Sequence, residues 1–390
     1  MTYEESLAWL YATQQFGIKL GLDNIRGLLA ALANPQERLS FLHVAGTNGK
    51  GSVCAILDAI LRASGRRTGL YTSPHLVDFR ERIRVNGEKI PPRAIANGLT
   101  TIREVSARWS HSPTFFEITT ALALGHFARE RCELVVLETG MGGALDATNA
   151  IVPLVSVITP IALDHTRWLG GTLAEIAREK AGIIKPGVPV VSAWQEPEAA
   201  TVLVQRAAAA GSSMDFIEAR FEPVGIALRG AHQKQNSALA IAALRAAGIE
   251  ASDDSIREGL RNVRWPGRFQ VVDERIILDG CHNPHAAAQL VVTWTNTYGT
   301  EKATVIFGAL GDKDYPTMLK ILESISREIF LVPVPSERSA TPEALALACP
   351  VPHRIFQSVK DALEESQGRT LVTGSLFLVG EALQVLGVEL

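Results

Sequence analysis

Lys50 and Ser52 close a turn, Gly46-Thr47-Asn48-Gly49-Lys50-Gly51-Ser52, that follows the short, mostly apolar run Phe41-Leu42-His43-Val44-Ala45. An apolar-periodic stretch after it predicts a helix from Val53 to about Ala63. Glycines let a backbone wrap closely around phosphate oxygens, a helix start offers unpaired N–H groups, and a lysine adds a full positive charge. Ser52 is placed to set a hydroxyl on a Mg2+ that bridges the phosphates. Gly51 stands between Lys50 and the hydroxyl, so the stretch departs from the general Walker spacing. An ordinary glycine turn between strand and helix is the bland alternative. The lysine followed by Gly-Ser at a helix start favours a phosphate-binding loop built on Gly49, Lys50, Gly51 and Ser52.

Further polar residues sit where strands should end. Leu134–Glu138 reads as a buried strand whose last residue is an acid, followed by Thr139-Gly140-Met141-Gly142-Gly143. Ligands gather at the carboxyl ends of strands in doubly wound sheets, so Glu138 is either a magnesium ligand or a solvated strand end. Val157–Ile161 leads similarly to Asp164 and His165, a pair that is structural or completes a metal's coordination. Thr172 and Glu175 form a capping-box pattern opening a helix, and Lys180 falls on the apolar stripe of Leu173, Ile176 and Ala177. A lysine there either snorkels to solvent or is paired or altered in the interior. Asp279-Gly280-Cys281-His282-Asn283-Pro284 puts an acid, an imidazole and an amide into one turn, with Pro284 suited to a first helical turn. Gly374-Ser375 follows another strand end.

The elements that must position these groups alternate. Strands are predicted at Thr68–Thr72, Leu134–Glu138, Leu154–Thr159 and Val188–Ser192, with helices at Phe116–Ala128, Leu173–Ile184 and Ser237–Ala247. Arg264-Trp265-Pro266-Gly267-Arg268 interrupts helix and strand alike and is a natural domain junction. Beyond it, strands are predicted at Ile276–Asp279, Thr304–Phe307, Ile329–Val332 and Thr370–Thr373, and helices at Ala286–Trp294 and Tyr315–Ser324. The expected architecture is α/β: a P-loop-type, mainly parallel sheet domain over 1–266, then a smaller, Rossmann-like α/β domain over 267–390.

Bulk properties narrow the function classes. A chain of 390 residues is long for one core, and 47 % hydrophobic with 20 % charged residues is a globular balance. A formal net charge of -3 argues against a nucleic-acid partner. The opening residues MTYEESLAWLYATQQF lack a basic region followed by an apolar one, and no apolar run is long enough to span a bilayer. Cys54, Cys132, Cys281 and Cys349 show no metal spacing and read as reduced, packed thiols. A cytoplasmic monomer with small-molecule partners and no membrane is expected.

Taken together, the chain resembles the folylpolyglutamate synthase and dihydrofolate synthase family of Mur-type, ATP-dependent amide ligases. The motifs occur in order over nearly the whole length: HVAGTNGKGS at the loop, TSPHL at Thr72–Leu76, ERIRVNG at Glu81–Gly87 and TFFE at Thr114–Glu117. ETGMGGALDATN follows at Glu138–Asn149, then LDH…LG…EKAGIIKPG from Leu163 to Gly187 and HQKQN at His232–Asn236. PGRFQ at Pro266–Gln270, DGCHNPHA at Asp279–Ala286, DKD at Asp312–Asp314 and TGS at Thr373–Ser375 complete the set. The sequence departs from the family pattern at Ala144, where many members have arginine, and at Cys281, where alanine is commoner.

The resemblance implies ATP and Mg2+ as cofactors, with Lys50, Lys180 and His165 as catalytic residues. Gly49, Lys50, Gly51, Ser52, Asn236, Arg268 and Asp279 would hold ATP. Ser52, Ser73, Glu138 and His165 would hold the metal, and Lys180 would carry a carbamate. Thr114, Phe116 and Ala147 match positions that bind the pterin-bearing substrate, and His282 and Ser375 match positions near the incoming L-glutamate. The implied reaction passes the γ-phosphoryl group of ATP to the carboxylate of dihydropteroate or a reduced folate, and glutamate's amine then displaces phosphate. Both the first glutamate addition and later chain extension are implied. A Mur-type ligase acting on a UDP-sugar peptide precursor, or a P-loop ATPase without ligase activity, are the rival expectations.

Overall fold

The computed structural model describes residues 1–16, 21–109, 111–218 and 225–390. The chain divides into two compact units: Met1–Ile161, Thr166–Gly225 and Gln235–Val263 form the first, and Ala162–His165, Ile226–Lys234 and Arg264–Leu390 the second.

The first unit is built on eight strands: β1 (Ser40–Ala45), β2 (Thr68–Tyr71), β3 (Ile83–Val85), β4 (Glu88–Lys89), β5 (Leu134–Glu138), β6 (Val155–Ile158), β7 (Val190–Ala193) and β8 (Met214–Ile217). Their order across the sheet is β4-β3-β2-β5-β1-β6-β7-β8. From β2 through to β8 every pairing is parallel, and only the β2–β3–β4 edge is antiparallel. Central strands covered on both faces need apolar residues throughout, which is why β1 and β5 read as near-continuous apolar runs. Phe41, Leu42, Val44, Val135, Val136 and Leu137 are all buried.

The antiparallel edge was not expected, although its signal lies inside ERIRVNG. Asn86 and Gly87 have φ of 51° and 85° and form the two-residue connection between β3 and β4, the turn chemistry of a tight hairpin. Helix boundaries shift as well. The helix after β1 is Lys50–Ala63 and starts three residues earlier than Val53, because Gly49 caps it and its carbonyl accepts the Val53 N–H at 2.9 Å. The helix at Leu173 ends at Lys180, and Ala181–Ile183 tightens into a 3-10 turn before Pro186, which disfavours helix at Lys185. Thr172 and Glu175 form the reciprocal capping box. The helix predicted from Ser237 begins at Ala231.

The second unit carries β9 (Gln270–Val271), β10 (Ile276–Leu278), β11 (Ala303–Phe307), β12 (Ser326–Leu331), β13 (His353–Ile355) and β14 (Thr370–Thr373). The sheet order is β13-β12-β11-β14-β10-β9, parallel except at β9. Its core is apolar and aromatic, with Trp294 and Phe307 fully buried. Pro284 does occupy the first turn of its helix, Pro284–Tyr298, which Asn283 caps. All four cysteines are free: Cys54, Cys132 and Cys281 are buried and Cys349 is half-buried. Among the described residues, no helix is long and apolar enough to cross a membrane.

Candidate active site

The glycine turn between β1 and the helix Lys50–Ala63 is held in shape by its neighbours. Gly46 has φ of 151°, and a Cβ there would overlap the Thr159 hydroxyl. Gly49 has φ of 89°, and its Cβ would lie 2.7 Å from Asn236 Oδ1. Only glycine meets both demands, a left-handed backbone and direct contact with a side chain. Thr47 and Asn48 donate their N–H groups to the Pro160 carbonyl at 3.0 and 3.2 Å, tying the turn to the loop after β6. Lys50 Nζ donates to the Thr47 carbonyl at 3.3 Å, and Ser52 is buried in the first helical turn. The turn therefore collects Gly49, Lys50, Gly51, Ser52 and Asn236 in one neighbourhood.

Glu138 ends β5, directly beside Val44 of β1. It is buried, and its Oε2 accepts the Ser73 N–H at 3.1 Å. Burial pushes the Cys54 thiol well up, the charge of Glu138 adds to this, and Lys50 opposes it. Acid and lysine thus act on one buried point.

Lys180 does not snorkel. It is 3 % exposed, and its Nζ donates to the Gly46 carbonyl at 2.8 Å. A lysine on the apolar stripe is accounted for by an interior acceptor at the first residue of the phosphate turn.

The loop after β5 is braced without an arginine at position 144. Ala144 N–H donates to the Glu179 carbonyl at 2.8 Å, and Asn149 Nδ2 donates to the carbonyls of Ala144 at 2.9 Å and Gly182 at 3.0 Å. Asp146 Oδ2 accepts the Gly140 and Met141 N–H groups at 2.9 and 3.0 Å. Its Oδ1 accepts the Thr148 hydroxyl at 2.5 Å, and that hydroxyl lies 2.8 Å from His43 Nε2. Because the Thr148 proton goes to the carboxylate, His43 must donate from Nε2, which makes a buried chain from β1 to the loop. Neither His43 nor Thr148 was singled out from sequence; a histidine inside an apolar strand was the available signal. Ala147 is buried in this loop, and the Phe116 ring lies against Gly140, whose Cβ would meet Phe116 Cζ at 2.5 Å. Thr114 caps the helix Phe115–Arg129 through a capping box with Glu117. Phe116 and Ala147 therefore share the apolar side of the unit that holds Tyr71 and Phe79, and Thr114 caps the helix that carries Phe116.

In the second unit, Asp279 is half-buried after β10, where Oδ2 accepts Phe269 N–H at 2.8 Å and Oδ1 accepts Cys281 N–H at 2.9 Å. Burial raises its carboxyl, and the Arg268 charge acts against that rise. Arg268 Nη1 donates to the Gly280 carbonyl at 3.4 Å. Ser375 caps the helix Leu376–Val385, its Oγ accepting the Phe377 N–H at 3.1 Å.

His282 belongs to a denser cluster. Asp164 Oδ1 pairs with Lys313 Nζ at 2.5 Å and accepts the His165 N–H at 2.8 Å. Its Oδ2 accepts Asn283 Nδ2 at 3.1 Å and lies 3.6 Å from His282 Nε2. Burial alone would raise the Asp164 carboxyl, but His282, the Lys313 ammonium and His165 together hold it far below the usual carboxylate range. Burial takes the His282 imidazole down to about 4, although Asp164 pulls the other way. His165 sits here with φ of 52°. Lys313 was missed as an individual residue; only its place inside DKD pointed to it.

The first-unit donors suit a magnesium ion. Ser52, Ser73 and Glu138 offer hard oxygens, and Mg2+ is held by one or two carboxylates with phosphates and waters filling its octahedron. Among the described residues no group of three or more His, Cys, Asp or Glu forms a self-sufficient metal cage, and an ion shared with phosphates does not need one.

Comparison with known proteins gives the family. Residues 44–212 match the Mur ligase middle domain and residues 267–379 the glutamate ligase domain of Mur ligases. The dihydrofolate synthase/folylpolyglutamate synthase of Bacillus subtilis is 35 % identical, with 97 % of this chain and 98 % of that protein covered. The folylpolyglutamate synthase of Lacticaseibacillus casei is 34 % identical, with 99 % of each covered. Among solved structures, Escherichia coli FolC in complex with DHPP and ADP matches with a TM-score of 0.89 at 33 % identity, covering 98 % of this chain and 97 % of that one. With two Mur ligase domains in order and relatives matched from end to end, this chain belongs to the dihydrofolate synthase/folylpolyglutamate synthase family.

Proposed function

We propose that the chain ligates L-glutamate to dihydropteroate and to (poly)glutamyl folates, using ATP and an acyl-phosphate intermediate. The observation that carries this reading is the phosphate turn itself: Lys50 and Ser52 at a helix start, Glu138 at the end of the adjacent strand, and the Lys180 ammonium on the turn's first carbonyl. A carboxylate is a poor electrophile, so moving the γ-phosphoryl group onto it creates a leaving group and divides one hard step into two. Lys50 and the turn's N–H groups would bind and orient the triphosphate and stabilise the charge that develops on it. Ser52, Ser73 and Glu138 would hold Mg2+, which supplies further neutralisation of phosphate charge when bound. Asn236, touching Gly49, supports a nucleotide role for the helix Ala231–Ala246. Thr114, Phe116 and Ala147 would form an apolar face for the acceptor, and the resemblance alone carries the roles of His165, Arg268, Asp279, His282 and Ser375. A carbamate on Lys180 is part of the same reading, and its nitrogen would keep one N–H to donate to the Gly46 carbonyl in place of the ammonium. Four free thiols fit a reducing compartment, and the reading is completed by a cytoplasmic monomer.

The decisive assay follows phosphate release with ATP, L-glutamate and either dihydropteroate or tetrahydrofolate, with products identified by mass spectrometry. Turnover that depends on glutamate and on each acceptor is the expected result. Phosphate release indifferent to both would overturn the proposal, and stimulation by one acceptor alone would remove its bifunctional part.

A further inference from the structure

The second unit brings two hydrogen-bond acceptors together with no proton between them. One is His282 Nε2. The other ring nitrogen, Nδ1, lies 2.9 Å from the Gly280 carbonyl. A carbonyl can only accept, so the proton of the neutral ring is on Nδ1. That carbonyl is fixed in place. Gly280 N–H donates to the Gly267 carbonyl at 2.8 Å, and Arg268 Nη1 donates to the Gly280 oxygen at 3.4 Å. A Cβ at Gly280 would lie 2.3 Å from Leu376 Cδ2, so the turn is packed from that side as well. Burial keeps the imidazole neutral until the pH falls to about 4, which leaves a bare lone pair on Nε2.

The other acceptor is Asp164 Oδ2, on the segment Ala162–His165 that belongs to the same unit. An ionised carboxylate offers about four lone-pair sites. At Oδ1 they are filled by Lys313 Nζ at 2.5 Å and the His165 N–H at 2.8 Å. At Oδ2 the Asn283 amide donates at 3.1 Å. That amide is held at both ends, because its own oxygen accepts the Ala286 N–H at 2.9 Å and caps the helix Pro284–Tyr298. Oδ2 therefore keeps room for one more donor, and its neighbour at 3.6 Å is His282 Nε2, which has none to give.

A cluster that only braced its loop would use the other imidazole tautomer and bond the carboxylate outright. Here Gly280 forbids it, and the gap calls for a group that brings two donors. Each N–H···acceptor bond spans about 2.9 Å, so one nitrogen carrying two N–H groups can touch both atoms across 3.6 Å. The cluster is open at one side: the His282 side chain is 28 % exposed, against 6 % for Asp164 and 7 % for Lys313. A divalent ion is poorly served, because the Lys313 ammonium already offsets the carboxylate's charge and one oxygen with one nitrogen are few ligands. A primary amino group fits, and ligation of an amino acid brings one.

We propose that Asp164 Oδ2 and His282 Nε2 form a slot for the amino nitrogen of the incoming amino acid, each accepting one of its N–H groups, so that the lone pair of the neutral amine is left free to attack. The proposal rests on the ligase reading for the identity of that amine. Its test is calorimetric titration of the full chain, with a non-hydrolysable ATP analogue and tetrahydrofolate present, with L-glutamate and with glutarate, which keeps both carboxylates and lacks the nitrogen. The native protein binds L-glutamate at least tenfold more tightly than glutarate. His282→Leu, which removes one acceptor, narrows the difference to threefold or less, as does Asp164→Asn. His282→Gln, whose amide oxygen can still accept, falls between. Equal affinity for the two ligands in the native protein, or binding of neither, overturns the proposal even if every variant fails to fold. A tenfold preference retained by a folded His282→Leu also overturns it. Should phosphate release prove indifferent to glutamate while the preference vanishes in His282→Leu, the ligase reading falls and the amine slot stands. Glutamate-dependent turnover together with an unchanged preference means the reverse: the ligase reading stands and the amine slot falls.

Discussion

Lys180 shows how much a single interior charge can organise. Its ammonium meets the Gly46 carbonyl at 2.8 Å, so any change at Lys180 is felt where the phosphate turn begins. Lys180→Met keeps the apolar stem and removes the donor. Glutamate-dependent turnover should fall at least tenfold while the protein remains folded, as read from steady-state rates and a thermal melt. If the side chain also carries a carbamate, protein equilibrated with 13C-bicarbonate gives a carbonyl resonance that Lys180→Met lacks. The Thr148 hydroxyl is a second test at this scale, because it accepts a hydrogen bond from His43 and donates one to Asp146. Thr148→Val strands the buried His43 Nε2, while Asp146 Oδ1 keeps the residue-148 backbone N–H at 3.0 Å; stranding one such group costs about 1–3 kcal/mol of stability. Urea denaturation should show that loss, and Thr148→Ser should recover most of it.

At the scale of elements, legibility followed the physics of burial. Strands covered on both faces had to be apolar, so β1, β5, β11 and β14 could be read directly, and so could the glycine turn and its lysine. The β3–β4 hairpin was passed over because it is short and half-exposed, although Asn86-Gly87 carried its turn. The start of the helix at Lys50 was misjudged because its first turn is polar, as a phosphate-binding turn has to be. Lys313 and the His43–Thr148–Asp146 chain could not be read, since each joins segments whose proximity only the folded sheet creates. The glycine turn also yields a sharp expectation. A Cβ at Gly46 would overlap the Thr159 hydroxyl, and φ there is 151°. Gly46→Ala must therefore shift the turn and, with it, the Lys180 acceptor. ATP affinity, followed by titration of a non-hydrolysable analogue, should drop at least tenfold. Gly125→Ala, inside the helix Phe115–Arg129 and with nothing within 4 Å of its Cβ, should leave that affinity unchanged.

For the whole molecule, the balance of buried titratable groups sets how stability depends on pH. His43 is completely buried, and burial, reinforced by the Lys185 charge, takes its imidazole down to about 3 from an ordinary 6.5. A folded value below the unfolded one means that, between the two, the unfolded chain binds a proton and the folded chain does not. Stability from this group is complete above pH 6.5 and is lost steadily as the pH falls toward 3. One proton corresponds to about 1.4 kcal/mol per pH unit. His232 and His282 are depressed in the same direction by burial, to about 4 each, and steepen the fall. Asp146 and Asp279, raised by burial, act in the opposite sense, because the folded chain then holds their protons at a pH where the unfolded chain has released them. Their window opens just above the ordinary carboxylate value of 3.8, whereas the histidines begin to act from 6.5 downward. The expected result is a urea midpoint that declines as the pH falls from 7 through 6.5, where the unfolded chain begins to take up the protons these imidazoles refuse. His43→Gln keeps a donor to Thr148 but cannot titrate, so its stability should fall less steeply over that range, by about one proton's worth. An unchanged slope in a folded His43→Gln would show that the β1 imidazole is charged in the folded protein, and the direction of donation from His43 to Thr148 would then no longer require a neutral ring.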